Sequence, residues 1–521
     1  MSSPLEIENT QIQNCHYFGS FAVHNGQHDK TSPGGVGIDL FVKITSITVF
    51  VILSAAGCTD AGRNPEQKPG NLSAPPQFTP PLIENYPPVP SPAQLAWENA
   101  GLAMFVHFGM NTMTDQELGS GRESPMVFNP DRLDASQWVK VAEKSGFKSL
   151  ILTAKHLDGF CLWPSRYTDY SVRNSPFRGG HGDVVREFAD ACHQAGLKLG
   201  FYLSPADRHE VTFGSPEYNS YYARQLTELL TEYGDVAEVW FDGANGEKYT
   251  GKRQEYDWNL FFATVRRYQP QALIACFGPD IRWAGNENGT GSVTEWSPQP
   301  SFMNLSGDGG VLTWYPSECD VSIRPGWFYH EKEDGLVKGV PQLVDIFMQS
   351  VGRNSNLLLN VPPDRHGLFS SADVSTLMSW RTTLNSMFGT DLLLRQFIQS
   401  SNTRGNREEF SPRNCVDDDE SSFWTTDEGV HSAQLTVDLG GVHTVNAIRL
   451  EEAIQYGQRI SSFTLYADEG GEWVPITQGT TVGRTRILTF APVTTVQLRL
   501  SIDDAKASPT LRTFSAYSIL R

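Results

Sequence analysis

The chain has 521 residues, 39% of them hydrophobic and 11% aromatic, with a formal net charge of −18. That length exceeds one ordinary domain and leaves room for a large core plus an accessory module. The negative charge argues against nucleic acid as the main partner, because such proteins carry a basic face, and it suits a soluble protein acting on a neutral ligand. Seven cysteines with no CxxC pair indicate neither a structural zinc site nor a redox motif, and most of them read as small buried apolar residues.

Residues 41–57, FVKITSITVFVILSAAG, are followed by Cys58. The apolar run after Lys43 is short for a membrane span and fits the core of a signal peptide, so residues 1–57 read as a targeting segment. The run Ala55-Ala56-Gly57-Cys58 resembles a bacterial lipobox, in which the cysteine becomes the first mature residue and is lipidated. An ordinary signal peptide cut nearby and a buried strand are the alternatives. The expected location is the bacterial periplasm or cell surface, with the protein held as a membrane-anchored lipoprotein. Residues 58–93 are rich in Pro, Gly, Ser and Asn. They cannot bury enough apolar surface to fold alone and read as a semi-extended tether.

From residue 94 apolar strands alternate with amphipathic helices. The pattern predicts strands over 102–109, 147–156, 197–205, 236–243 and 272–278. It predicts helices over 134–146, 183–196, 217–234 and 256–268, with a last helix over 371–388. Asp and Gly punctuate the first helix as cap and stop, Gly ends the second, and Pro216 opens the third at a favoured position. Continuous apolar strands alternating with helices mean parallel strands buried on both faces. A (β/α)8-like barrel over 94–390 is the expected architecture, with a doubly wound sheet as the rival. No Gly-rich phosphate loop follows any strand, which counts against the rival. Over 395–521 short β-rich runs separated by polar turns predict an all-β sandwich.

A barrel places its active site at the C-terminal ends of its strands, and His107, His156, Ser204 and Asp242 fall there. In AEVWFDGA a buried strand delivers Asp242 to its end, as either a nucleophile or a cap for the next helix. DIRWAGNENG puts Glu287 in a Gly/Asn-rich loop further on. Glycosidases need two carboxyls, one to attack or activate water and one to protonate the leaving oxygen. Glu287 supplies the second unless it is only a solvated loop residue, and Glu295 and Glu318 are rival acids. His107 and His156 can hydrogen-bond hydroxyls in either tautomer, against the plainer reading of satisfied core histidines. GFYLSPADRH adds Tyr202, Asp207 and His209, and RPGWFYH adds Arg324 and Trp327. The histidines lie on separate strands without HxH or HExxH spacing, so no metal and no cofactor is expected in the barrel. In the sandwich, Asp417-Asp418-Asp419-Glu420 reads as a solvated loop or as oxygen ligands for a structural calcium ion.

The ordered set FVHFG, KHLDGF, GFYLSP–DRH, VWFDGA, WAGNENG, RPGWFYH and NLLLNVPP resembles glycoside hydrolase family 29, the retaining α-L-fucosidases, from about Trp97 to Pro363. The C-terminal region resembles the discoidin-like domain these enzymes often carry. The resemblance implies Asp242 as nucleophile and Glu287 as acid/base. His107, His156, Tyr202, Asp207 and His209 would bind substrate, with Trp327 packed on fucose. It implies a fucosylated oligosaccharide or glycoconjugate as substrate, with terminal α-1,3/1,4-linked fucose removed, as in the regiospecific branch, and α-1,2 linkages left open. Two positions depart from the pattern: Leu157 stands where the family usually has a second His, and Ala206 where that branch has a Trp. A non-catalytic glycan-binding lipoprotein on a degenerate barrel, and a hydrolase of another sugar, are the competing readings.

Overall fold

The computed structural model describes residues 85–243, 246–300 and 311–519. The expected targeting segment, Cys58 and most of the expected tether lie outside the described residues. Tyr86 and Ser91, expected in the tether, take part in local order. The Tyr86 N–H donates to the Tyr456 carbonyl at 2.9 Å, and Ser91 caps a helix over Pro92–Ala100 (α1) through a reciprocal box with Gln94. Backbone pairing and a cap supply the order that the local composition lacks.

Eight parallel strands close a barrel: β1 (Leu102–Val106), β2 (Ser149–Lys155), β3 (Lys198–Leu203), β4 (Glu238–Phe241), β5 (Leu273–Cys276), β6 (Ile281–Trp283), β7 (Ser317–Ser322) and β8 (Ser355–Asn360). Each pairs with its chain neighbour, and β8 pairs with β1 through Leu102↔Leu357 and the residues that follow. Helices cover β1–β4 as the periodicity predicts. Asp134 caps Ala135–Ser145 by accepting from two backbone N–H groups, and Gly146 ends that helix in the left-handed region. Asp183, accepting from the Arg186 N–H, and Gly196, in the left-handed region, bound Val184–Ala195 in the same way. The ring is incomplete, however. β5 passes to β6 through residues 277–280 alone, and no helix stands between β6 and β7 among the described residues.

Strand alternation sorts the side chains into two cores. Met104, Val106, Leu150 and Leu152 face the helices. Phe105, Ile151, Tyr202, Trp240, Ala275, Ile281 and Leu358 fill the barrel interior. Gly200 leaves room inside, since a Cβ there would lie 2.7 Å from Ile151 Cγ1.

The C-terminal region is antiparallel throughout. Its strands are β9 (Ile398–Ser400), β10 (Trp424–Thr425), β11 (Ala433–Glu452), β12 (Ile460–Glu469), β13 (Glu472–Gly479), β14 (Arg486–Ala505) and β15 (Thr510–Tyr517), around a separate apolar core. The long strands β11 and β14 bend at register shifts, which lets one sheet curl round its core. Ala447, Ile487 and Tyr517 of this domain join the core outside the barrel. The Ile487 N–H donates to the Gly352 carbonyl and the Asn354 N–H to the Thr485 carbonyl, each at 2.9 Å. Residues 417–420 spend carboxylates on their own turn: Asp417 accepts from the Asp419 N–H and Ser422 Oγ, and Asp419 from the Ser421 N–H and Oγ. Among the described residues no cluster of three His, Cys, Asp or Glu side chains is arranged to hold a metal ion.

Candidate active site

The site lies at the C-terminal mouth of the barrel. Along β4 the inward side chains are Glu238, Trp240 and then Asp242, two residues apart each time, so Asp242 emerges just past the strand end. It accepts a hydrogen bond from Tyr202 Oη at 3.0 Å. Glu287 comes from the loop after β6. That loop is pinned to β7 by the Ala284 N–H on the Glu318 carbonyl and the Gly289 N–H on the Asp320 carbonyl. Trp327 Nε1 donates to Glu287 Oε2 at 3.4 Å. Desolvation raises the Glu287 pKa, the nearby charges of Asp242 and Glu117 add to the rise, and the Trp327 hydrogen bond opposes it. The two carboxyls therefore share one mouth and sense each other.

Two histidines complete the wall. Asn360, the last residue of β8, donates from Nδ2 to Ser322 Oγ at 2.9 Å and to the Trp327 carbonyl at 2.8 Å. Its Oδ1 must then accept the 2.8 Å bond from His107 Nδ1, which puts the His107 proton on Nδ1. Asn111 Nδ2 donates to the Glu117 carbonyl at 3.0 Å and lies 3.4 Å from His156 Nδ1, so that nitrogen accepts and the His156 proton sits on Nε2. Burial keeps both rings neutral: His107 falls well below its usual pKa and His156 to about 4. His107 thus offers an acceptor to a ligand and His156 a donor. The His107 ring packs 5.0 Å from Trp327, and His156 stacks on Tyr202 at 5.8 Å.

The structure brings Asp242, Glu287, His107, His156, Tyr202 and Trp327 together, and it places Asp207 and His209 differently. Asp207 is buried, with Oδ2 3.0 Å from Lys155 Nζ and Oδ1 accepting the N–H groups of His209 and Glu210. Its carboxylate neutralises a buried ammonium and closes its own loop. His209 is exposed, stacked on Tyr170 at 4.3 Å, with Nδ1 2.7 Å from the Gly121 carbonyl. The rival acids lie elsewhere. Glu295 is buried against the C-terminal domain and paired with Arg282, and Glu318 lies inside the barrel, accepting from Trp240 Nε1 at 3.0 Å. Arg324 is held by Asp373 and Asp334 behind the wall. Leu157 joins the apolar core, and Ala206 is buried beside Gly246. Asn360, Asn111 and Glu117 take part in the site without having stood out in the sequence. NLLLNVPP held Asn360 in plain view, but the histidine it orients is 253 residues away.

A parallel barrel with two carboxyls, neutral imidazoles and an indole at its mouth has the parts that glycoside hydrolysis needs. The model of the α-L-fucosidase family matches residues 122–384, and that of the F5/8 type C domain matches residues 396–513. The chain is 44% identical over 447 residues to α-L-fucosidase 1 of Arabidopsis thaliana, covering 82% of this chain and 87% of that one. A Ruminococcus gnavus GH29 fucosidase solved in complex with fucose superposes with a TM-score of 0.77 at 31% identity, over 83% of this chain and 95% of that one. A glycoside hydrolase 29 member from a rumen bacterium gives 0.73 at 36% identity, over 83% and 78%. The chain belongs to the α-L-fucosidases of glycoside hydrolase family 29 and carries a discoidin-like C-terminal domain.

Proposed function

We propose that this α-L-fucosidase is a retaining exo-enzyme working by double displacement, with Asp242 as nucleophile and Glu287 as acid/base. The observation that carries the reading is the pair itself: Asp242 at the end of β4, held by Tyr202, and Glu287 reaching the same mouth under the Trp327 indole. An Asp242 oxygen attacks C1 of the fucosyl group as the glycosidic C–O bond breaks, and Glu287 gives its proton to the departing oxygen. Glu287, now a carboxylate, takes a proton from water, whose oxygen attacks C1 and releases Asp242 with net retention. The upward shift of the Glu287 pKa by burial favours the protonated form that the first step needs. The His107 acceptor and the His156 donor bind fucose hydroxyls, and Trp327 covers its apolar face.

The preferred substrates are α-1,3- and α-1,4-linked fucosides of branched glycans, on the resemblance of YPSECDVSIRPGWFYH to the regiospecific branch. Fucose release from a Lewis-type trisaccharide, from 2′-fucosyllactose and from an aryl fucoside tests both parts. The trisaccharide ranks first if the linkage reading holds. Asp242→Asn abolishes release from all three, and retained turnover in that variant refutes the nucleophile.

We also propose export and lipid anchoring through Cys58, supported by the lipobox-like run before it. Cys58→Ser moves the protein to the soluble fraction, and an unchanged membrane fraction rejects the anchor.

A further inference from the structure

We propose that Glu117 is a positioning residue for the acid/base: its carboxylate fixes the backbone of Trp327, whose indole holds Glu287. The inference rests on the role given to Glu287 above.

Glu117 lies in the loop after β1, and the segment it grips lies past β7. Glu117 Oε1 accepts the Trp327 N–H at 2.6 Å, and Oε2 accepts the Phe328 N–H at 3.3 Å. His330 Nε2 lies 3.1 Å from Oε2, and its Nδ1 lies 2.7 Å from Asp115 Oδ1. A neutral imidazole has one N–H to offer two carboxylates, so this bracket selects the imidazolium. Burial opposes that charge, yet the bonds to Asp115 and Glu117 hold the His330 pKa above its usual value. Gly326 makes the approach possible, because a Cβ there would stand 2.9 Å from Glu117 Oε2 and 3.1 Å from His330 Cδ2. The Trp327 peptide is thus clamped at both ends, its N–H by Glu117 and its carbonyl by Asn360 Nδ2 at 2.8 Å. A peptide fixed on both sides has little freedom left, and its indole is presented to Glu287 ready-placed. The Glu117 charge acts on Glu287 as well. With Asp242 it is one of the two negative groups that disfavour Glu287 ionisation, and Asp320 is a third carboxyl coupled to the same residue.

Acid assistance matters most for a poor leaving group. The test therefore compares kcat/KM for a fucosylated oligosaccharide with that for an aryl fucoside of low leaving-group pKa, across pH. The proteins are the wild type, Glu287→Gln, Glu117→Gln and Gly326→Ala. Glu287→Gln loses the oligosaccharide selectively. Glu117→Gln and Gly326→Ala show the same selectivity in weaker form, roughly tenfold greater loss on the oligosaccharide, and Glu117→Gln moves the alkaline limb of the profile to lower pH. If Glu287→Gln is selective while the other two lower both substrates equally and leave the limb in place, Glu117 is structural and the proposal fails. If Glu287→Gln shows no selectivity, the acid/base assignment falls first and the positioning role with it.

Discussion

Two pairs of carboxyls occupy the two ends of one barrel, and they have opposite fates. At the base, Glu238 and Glu318 point inward from β4 and β7, each under an indole N–H: Trp97 Nε1 lies 3.1 Å from Glu238 Oε2 and Trp240 Nε1 3.0 Å from Glu318 Oε2. Burial without a cation raises both, and the Glu238 charge adds to the rise at Glu318, so the pair is held neutral. At the mouth, Asp242 receives the Tyr202 O–H and Glu287 the Trp327 indole N–H, but they stand where a ligand can reach them. Both ends hold carboxyls that accept an O–H or an indole N–H. On the roles proposed above, access decides which pair reacts and which merely fills space. Asp320 stands between the ends, taking the Trp283 N–H at 2.7 Å, with its pKa pushed up to about 7 by burial and then by Glu287 and Asp242.

Substitutions at the two ends sharpen this contrast. The largest effect belongs to the mouth. Asp242→Ala lowers kcat by at least ~10³-fold, and added azide restores turnover as a β-fucosyl azide, which product NMR identifies. Glu287→Ala comes next, with a loss of roughly 10²- to 10⁴-fold on oligosaccharides. Its alkaline limb disappears from the pH profile: wild-type activity falls as pH rises through the raised Glu287 pKa, and without that proton there is nothing to lose. Equal pH profiles for wild type and variant would move the acid role elsewhere.

The base gives the smallest effect on catalysis and a signature in stability. The folded-state pKa values of Glu238 and Glu318 lie above the ordinary carboxylate value. The unfolded chain therefore releases protons that the folded one keeps. Stability falls as pH rises from the unfolded value near ~4.3 through the folded ones. Glu318→Gln keeps an acceptor for Trp240 and removes that penalty. Its melting temperature matches the wild type near pH 4.5 and exceeds it at pH 8, while kcat stays within about twofold. A kcat loss comparable to that at Glu287 would erase the distinction between the ends. Removing residues 395–521 tests the base from outside. It strips Ile487 and Tyr517 from the shared core, and the barrel then expresses as insoluble protein. A soluble barrel with weaker action on large glycans only would make the domain a binding module instead.

The same contrast explains what the sequence disclosed. β1 to β5 were legible because they are mainly apolar on both faces, even with Glu238 at the start of β4, and the helices because Asp and Gly mark their ends. β7, Ser317–Ser322, was not, because the inward residues Glu318 and Asp320 are carboxyls whose cover comes from indoles on other strands. Nothing in SECDVS announces a buried strand. Asp242 and Glu287 were visible through motif order, whereas the ties around them join residues far apart: Asn360 to His107, Glu117 to Trp327. Asp207 shows the converse. Local pattern put it beside the sugar-binding residues, and only the fold reveals Lys155, a buried cation from another strand that claims it.

The amide of Asn360 gives the pocket a handedness of hydrogen bonding. Because its Nδ2 is committed to Ser322 and Trp327, its oxygen fixes the proton of His107 on the inner nitrogen, while Asn111 fixes that of His156 on the outer one. A fluorine atom accepts a hydrogen bond weakly and donates none. A deoxyfluoro fucoside altered at the hydroxyl that meets His156 therefore keeps part of its contact, and one altered at the hydroxyl that meets His107 keeps none. Two imidazoles that look alike in the sequence become readers of opposite polarity.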